Sequence, residues 1–310
     1  MKYLSDLPSL ISKPSSIIYH GLGAIGGGEI VAEKIIDLFK ISQSNIYTHR
    51  LNILILLRHI FKKTNGRPFC LSGPRDIPII IFAFLCIRRA DVYLQVPYHL
   101  SITRNRPIHL FSVLIYLLLV NFCSKTVLVN SSNTGKYVLF KKTIVVLPIL
   151  NSDLYNRSLA VTINPKSSSK KVITLSCRLE LEQGSPSKDI PSILRLSNEV
   201  SKYNLDNNIQ CEIIHFGFCH ESIKQILLDA SLGSIKFFDY DPLWLNHISN
   251  TVVFLSLYEG FGLAPFEASC RGANVFVNEA FPKELLELAP NIHRIVSKDS
   301  KISILSQLKL

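Results

Sequence analysis

Short apolar stretches rich in β-branched residues alternate along the chain with longer segments whose apolar residues recur at helical spacing. In the first half, the pattern predicts a helix at 29–40 and strands at 15–21, 90–96, 125–131 and 143–150. In the second half, it predicts helices at 189–203, 220–230, 241–250 and 264–272, and strands at 172–179, 211–217, 235–239, 251–257 and 273–278. This alternation is typical of parallel sheets covered by helices, so the predicted class is α/β.

The chain is long enough for two domains. Its 310 residues are about twice the usual size of one domain, and 47% of them are hydrophobic, which allows two buried cores. Residues 151–171 interrupt the apolar rhythm with Asn, Ser, Pro and Lys. We therefore expect a first Rossmann-like domain at 1–155, a linker at 156–170 and a second Rossmann-like domain at 171–310.

The net charge of +11 is concentrated in the first half of the chain. Residues 1–157 hold 19 Lys/Arg against 7 Asp/Glu, whereas the remainder holds 15 against 16. The first half also contains two apolar runs, 78–89 and 108–125, which are shorter than the roughly 20 residues of a membrane span. They are either buried helices or part of a face that lies on an anionic bilayer, and the arginines that border them are Arg88, Arg89, Arg104 and Arg106.

Other classes of function find less support. No helix-turn-helix, zinc finger or aromatic RNA-binding signature accompanies the basic half, so nucleic acid is not an expected partner. Seven cysteines without a C-x-x-C pair argue against a disulfide framework, and the first residues lack the pattern of a signal peptide, so cytoplasmic residence is expected. Four residues of types that bind metals lie along a predicted strand or just after it, but we expect no metal site there. They are Cys211, His215, Cys219 and His220.

The most specific segment of the sequence is 256–284. It places Glu259 and Glu267 eight residues apart, with Gly260 and Gly262 between a predicted strand and a predicted helix. A glycine-rich turn at a helix start lets backbone N–H groups approach a phosphate or sugar oxygen, and the carboxylates can accept hydrogen bonds from hydroxyls. The alternative is a helix-terminal carboxylate and a solvated glutamate with no ligand.

The same segment resembles the signature of the family 4 retaining glycosyltransferases, S-x-x-E-G-F-G-L-x-x-x-E-A-x-x-x-G. The residues that match it are Ser256, Glu259, Gly260, Phe261, Gly262, Leu263, Glu267, Ala268 and Gly272. The resemblance implies a GT-B type fold, in which two Rossmann-like domains face a cleft. It also implies that Glu267 holds the donor ribose, while Glu259 and the backbone at Gly262 and Leu263 face the donor sugar and its phosphate.

In that family an Arg and a Lys after the first strand of the second domain clamp the donor diphosphate. Arg178 matches the first position, but the usual spacing of five residues leads to Gln183. A short insertion would place Lys188 there instead, and we favour Lys188 because a neutral amide cannot balance the charge of a diphosphate. If Gln183 is the true equivalent, the alternative is a catalytically impaired binding module.

The first half carries weaker signals. Gly21, Gly23 and Gly26 have the spacing of a dinucleotide loop, but no acidic residue lies in 45–50 to hold a ribose, so a nicotinamide oxidoreductase remains only an alternative. A tight turn without a ligand is also open. The glycosyltransferase resemblance implies instead a cleft-lining loop of Gly26, Gly27 and Gly28. It further implies that His99, after a predicted strand, approaches the donor sugar and the reaction centre.

The expected activity is therefore transfer of a sugar from a nucleotide-sugar to a saccharide or lipid-linked saccharide, with retention of configuration. The resemblance is to bacterial enzymes that assemble surface polysaccharide. No cofactor or metal is expected, and the chain is expected to act in the cytoplasm or peripherally on the inner face of the cytoplasmic membrane.

Overall fold

The computed structural model describes all of the chain except residues 20–26, 49–66, 73–89, 96–106, 154–170, 178, 180–187, 208–209, 240–244, 246 and 309–310. The chain divides into two compact units, Met1–Leu154 and Tyr155–Leu310. Each unit contains its own parallel sheet. The predicted linker, 156–170, lies outside the described residues.

The first unit is built on seven parallel strands in the order β1-β7-β6-β5-β4-β2-β3. The strands are β1 (Lys2–Tyr3), β2 (Ser16–Tyr19), β3 (Ile46–Thr48), β4 (Pro68–Ser72), β5 (Asp91–Leu94), β6 (Val127–Val129) and β7 (Thr143–Leu147). The α-helices in the described part of this unit are α1 (Leu7–Leu10), α2 (Gly27–Phe39), α3 (Pro107–Cys123) and α4 (Ser132–Gly135). The central strands β5 and β6 are buried throughout, as expected for short apolar runs in a parallel sheet.

The second unit is built on six parallel strands in the order β10-β9-β8-β11-β12-β13. The strands are β8 (Lys171–Ser176), β9 (Cys211–Phe216), β10 (Ile235–Phe238), β11 (Thr251–Phe254), β12 (Asn274–Val277) and β13 (Ile292–Arg294). Its α-helices within the described residues are α5 (Ile190–Asn207), α6 (Glu221–Ser231), α7 (Leu263–Cys270), α8 (Lys283–Leu288) and α9 (Ile304–Gln307).

The strand order of the second sheet is that of a Rossmann fold. The chain starts at β8 in the middle, adds β9 and β10 on one side, and then crosses to add β11, β12 and β13 on the other. The direction of winding thus reverses between β8 and β11. Ligands of open α/β sheets bind outside the carboxyl ends of the strands at such a reversal. In the first sheet the corresponding reversal lies between β2 and β4.

The predicted α/β class with two Rossmann-like halves is confirmed. The helix predicted over 241–250 is wrong for residues 247–250, which are irregular and lead into β11. Here Ser249 donates its N–H to Thr174 Oγ1 at 2.9 Å and its hydroxyl to Thr251 O at 2.6 Å. These bonds tie the segment to the sheet, so its polar groups are satisfied without a helix.

The structure describes only one of the two apolar runs predicted in the first half of the chain. The run at 78–89 lies outside the described residues, as do Arg88, Arg89, Arg104 and Arg106. The run at 108–125 forms α3, which buries Tyr116 and Val120 but leaves its opposite side exposed. Among the described residues, no helix has both the length and the apolar character that crossing a membrane requires.

Candidate functional site

The candidate site lies where the second sheet reverses its direction of winding. After β8 the chain reaches Lys188 and Asp189, which directly precede α5. After β11 the chain continues through 255–262 into α7. Because β8 and β11 are hydrogen-bonded neighbours, both segments emerge from the same edge of the sheet.

Backbone pairing holds these two segments together. Lys188 and Ser256 form an isolated antiparallel bridge, and Asp189 donates its N–H to Leu255 O at 3.2 Å. The paired residues are 68 positions apart in sequence. The segment after β8 is therefore fastened to the segment after β11 at the carboxyl edge of the sheet.

The Lys188 side chain lies against the glutamate of the glycine-rich turn. Its Nζ donates to Ser256 Oγ at 3.2 Å and lies 3.7 Å from Glu259 Oε2. The side chains of Lys188 and Glu259 are 21% and 28% exposed. An ion pair at this exposure contributes only about 0 to 1 kcal/mol, so the ammonium is positioned yet available to a more strongly charged anion.

Glycine is required at position 262, where α7 begins. Gly262 is the N-cap and has a φ of 93°, a conformation that other residues adopt only with strain. A Cβ atom there would also lie 3.0 Å from the ring of Phe281. The first N–H groups of a helix have no acceptor within the helix and carry its partial positive charge, so the Gly262–Leu263 backbone suits an anion.

Glu267 lies on the outer face of α7. It follows Leu263 by one helical turn, and both residues are half-buried. The opposite face of α7 faces the core through Pro265, Phe266, Ala268 and Ser269. Since residues four apart share a helix face, the Glu267 carboxylate is on the same side as the start of the helix. The start of α7 and a carboxylate suited to hydroxyl groups therefore share one surface.

A buried asparagine supports the site from behind. Asn278, which directly follows β12 and is 1% exposed, donates to Ser256 O at 2.8 Å and accepts from Ser256 N at 3.3 Å. It also donates to Ser297 Oγ at 3.1 Å. Both backbone polar groups of Ser256 are thus fixed by one side chain, and Ser256 in turn holds Lys188.

The same network reaches the start of α5. Ser297 Oγ lies 3.3 Å from Asp189 Oδ2, and Asp189 accepts from Ser192 Oγ at 2.6 Å and from Ser192 N at 3.2 Å, which caps the helix. Burial favours a raised pKa for Glu279, but hydrogen bonds, among them those from the Ser297 N–H and hydroxyl, outweigh it and lower this pKa. Asn278 and Ser297 were not among the residues predicted from the sequence, although a polar residue at the end of the predicted strand 273–278 was a usable signal for Asn278.

A neutral thiol and imidazole lie near Lys188. Cys177 Sγ is 3.7 Å from His215 Nε2. Burial raises the pKa of Cys177 to about 11, against the opposing effect of the Lys188 charge, and burial lowers the pKa of His215 to about 4. Neither group is charged near neutral pH. Within the described residues, no group of three or more His, Cys, Asp or Glu side chains is placed to hold a metal ion.

Several of the residues predicted from the sequence lie outside the described part of the chain. These are Gly21, Gly23, Gly26, His99, Arg178 and Gln183. Gly27 and Gly28 are the first two residues of α2, so the predicted glycine loop is wrong for these two residues. The structure thus brings Lys188 to Ser256 and Glu259, and places Gly262 at the N-cap of α7 and Leu263 and Glu267 within that helix.

Comparison with solved structures gives matches over nearly the whole chain. Anabaena Alr3699/HepE in complex with UDP and glucose superposes with a TM-score of 0.66 at 14% identity, covering 96% of this chain and 89% of that one. A glycosyltransferase from Rickettsia africae ESF-5 gives 0.64 at 13%, covering 96% and 88%. The lipopolysaccharide outer core galactosyltransferase WaaB gives 0.58 at 12%, covering 91% and 86%.

No protein-family model matches the chain, and no curated protein matches it in sequence. Similarity at 12 to 14% identity is a similarity of fold. The chain therefore has the GT-B type fold that the resemblance implied, similar to these glycosyltransferase structures.

Proposed function

We propose that this chain is a retaining glycosyltransferase that moves a sugar from a nucleotide-sugar to a saccharide or lipid-linked saccharide. The observation that carries the proposal is the meeting of Lys188 with Ser256 and Glu259 at the winding reversal of the second sheet, beside the start of α7. A cation, free helix N–H groups and carboxylates are what a diphosphate attached to a sugar and a ribose requires.

Lys188 and the start of α7 stabilise the leaving group. When the bond between the anomeric carbon and the diphosphate oxygen breaks, negative charge grows on that oxygen. An ammonium already in position, together with N–H groups at a helix start, stabilises this charge more than it stabilises the intact donor. Because the Lys188–Glu259 contact is long and part-exposed, the diphosphate displaces Glu259 from Lys188 at little cost.

The other roles are those that the family resemblance assigns. Glu267 accepts hydrogen bonds from the ribose hydroxyls, and Glu259, once released by Lys188, accepts from hydroxyls of the donor sugar. Arg178 supplies a second positive charge to the diphosphate. The family resemblance also assigns Gly26, Gly27 and Gly28 to the donor phosphates and His99 to the donor sugar.

Retention follows if the acceptor hydroxyl attacks the face from which the diphosphate departs. The acceptor oxygen forms the new bond to the anomeric carbon as the old bond breaks, and its proton passes to an oxygen of the leaving diphosphate. This route needs no carboxylate nucleophile.

The similar structures support a choice of substrates. One is described as a complex with UDP and glucose, and another as a lipopolysaccharide galactosyltransferase. We infer a uridine-diphosphate sugar as the donor and a cell-surface saccharide precursor as the acceptor, used in the cytoplasm or at the inner face of the membrane.

A binding screen followed by product analysis tests the proposal. A donor present at 100 times its dissociation constant should stabilise the chain by about 2.7 kcal/mol, which thermal unfolding detects. The selected donor is then incubated with saccharide acceptors, and the configuration of the product is determined by NMR. An inverted product, or stabilisation by NADH with no response to any nucleotide-sugar, would contradict the assignment. Donor binding without hydrolysis or transfer would indicate an impaired binding module.

A further inference from the structure

Six exposed apolar side chains form one continuous feature of the first unit, the α3 surface. Four of them recur along one side of α3 at intervals of three and four residues, and two belong to the segment between α4 and β7. Their exposed fractions run from 43% for Leu114 to 75% for Leu139. The six residues are Phe111, Leu114, Leu118, Phe122, Leu139 and Phe140.

The fold holds this surface in place. Asn121, which is 5% exposed, accepts hydrogen bonds from Leu139 N at 2.8 Å and from Phe140 N at 2.9 Å, and donates to Leu117 O at 2.8 Å. The Phe140 ring stacks on the Phe122 ring with centroids 5.1 Å apart. The buried Asn121 side chain therefore fixes the Leu139–Phe140 segment, which extends the α3 surface beyond the end of the helix.

Only cations accompany these apolar residues in the sequence. Between Asp91 and Asp153 the chain contains six Lys/Arg and no Asp or Glu. Lys125, Lys136 and Lys142 are exposed, and they lie close in sequence to the end of α3 or to the Leu139–Phe140 segment. A second copy of the same surface would bring like charges together, which disfavours self-association.

Large apolar side chains that share their stretch of sequence with lysines and with no carboxylates fit a negatively charged lipid surface. Apolar side chains of an interfacial helix enter the boundary between headgroups and acyl chains, while neighbouring lysines meet the lipid phosphates. We propose that the α3 surface docks the chain on an anionic bilayer, with α3 lying along the membrane plane. This docking is independent of the proposed sugar transfer and is measured without any donor.

The test is flotation of the purified chain with vesicles of phosphatidylcholine alone and of phosphatidylcholine mixed with phosphatidylglycerol. The wild-type chain should float with the anionic vesicles and less with the neutral ones. The double variant Leu118→Gln, Phe122→Gln should bind at least about tenfold more weakly, because two large side chains no longer leave water. The double variant Lys125→Gln, Lys142→Gln should lose about fivefold per lysine at low salt. That difference should shrink as salt screens the charges.

Leu205→Gln is the matched control. Leu205 is 73% exposed on a helix of the second unit, so its replacement changes the same chemistry elsewhere and should leave flotation unchanged. Phe140→Gln provides a second test on an exposed segment outside the helix. Circular dichroism and thermal unfolding establish that each variant is folded.

Three outcomes would overturn the docking proposal. They are equal binding to neutral and anionic vesicles, no binding of the wild-type chain, and unchanged binding of the folded apolar variants. Sedimentation velocity adds a fourth: a dimer that Leu118→Gln, Phe122→Gln dissociates, without vesicle binding, would assign the α3 surface to a second copy.

Discussion

The helices α3 and α5 each pack against the sheet of their own unit, but they have opposite exteriors. The helix α3 follows β5 and buries Val120 within the first unit. The helix α5 follows β8 and buries Leu196 within the second unit. The 17 residues of α3 include no charged side chain, whereas the 18 residues of α5 include Arg195, Glu199, Lys202 and Asp206. The architecture fixes the inner faces of the two helices and leaves the outer faces free to differ.

The outer face of α5 is satisfied within the second unit. Arg195 lies 3.7 Å from Glu199 and donates to Ser297 O at 2.7 Å, and Glu199 accepts from Leu305 N at 2.7 Å. The outer face of α3 is apolar and exposed. The two units therefore differ in what they expose. The second unit places polar residues of the candidate site at its sheet edge, and the first unit exposes an apolar surface.

The largest expected effect is on the polar site. Lys188→Ala should lower turnover about 100-fold or more, because the departing diphosphate loses a positioned charge, and Arg178→Ala should act in the same direction. Gln183→Ala is the matched control and should change turnover little. Initial rates with the donor chosen by the binding screen provide the measurement. A sensitive Gln183 together with a silent Lys188 would reverse the clamp assignment.

The second effect concerns the stability of the second unit at acid pH. His215 is fully buried and its pKa is lowered to about 4, so the folded chain resists protonation while the unfolded chain binds a proton below about pH 6.5. The unfolding free energy should therefore fall by about 3 kcal/mol as the pH drops through this window. Denaturant unfolding of the wild type and of His215→Leu from pH 7 to pH 4, values that span this window, measures the effect. Parallel pH curves for the two chains would show that His215 contributes nothing.

The third effect separates binding from stability. Glu267→Ala should weaken nucleotide binding by about 1.5 to 3 kcal/mol, because charge-assisted hydrogen bonds to the ribose are lost, while the fold is retained. Glu287→Ala, at an exposed position of α8, is the control. Isothermal titration with the donor or with its free nucleotide measures both variants. Unchanged affinity in Glu267→Ala would remove the ribose assignment.

The smallest effect addresses the two helices directly. Leu118→Gln on α3 and Leu205→Gln on α5 should each change the unfolding free energy by less than about 0.5 kcal/mol, since both side chains are already largely in water. Thermal and denaturant unfolding measure the change. A large loss for Leu118→Gln alone would mean that the α3 surface packs within the chain, which would exclude its availability to a membrane.

Sequence periodicity predicted the elements that bury a long apolar run. The strands β8, β9, β11 and β12 and the helices α5 and α6 lie close to their predicted positions. Short elements such as β13 and α9 were missed, because three or four residues contain too little periodicity to separate a strand from a turn. The helix predicted at 241–250 failed over 247–250, where side-chain bonds to the sheet replace helical ones.

The sequence predicted the candidate site only in part, because some of its contacts depend on how the strands pair in the folded sheet. The glycine-rich turn and Glu267 lie within one continuous segment, so the sequence alone indicates them. The support from Asn278 and Ser297 depends on which strands are neighbours and on the register of β12, and these are properties of the folded sheet. The pairing of Lys188 with Ser256 likewise joins positions that only the fold brings together.

The bridge between Lys188 and Ser256 also has a consequence for how the chain tolerates changes in length. Leu179 donates its N–H to Phe218 O at 2.8 Å, and Lys188 is paired with Ser256, so the intervening residues start and finish at fixed points. Doubling the length of a loop between fixed ends costs only about 0.6 kcal/mol. The longer spacing that the clamp proposal places between Arg178 and Lys188 is therefore thermodynamically inexpensive, and a peptide tag inserted at 183–184 should leave the second unit folded, as thermal unfolding would measure.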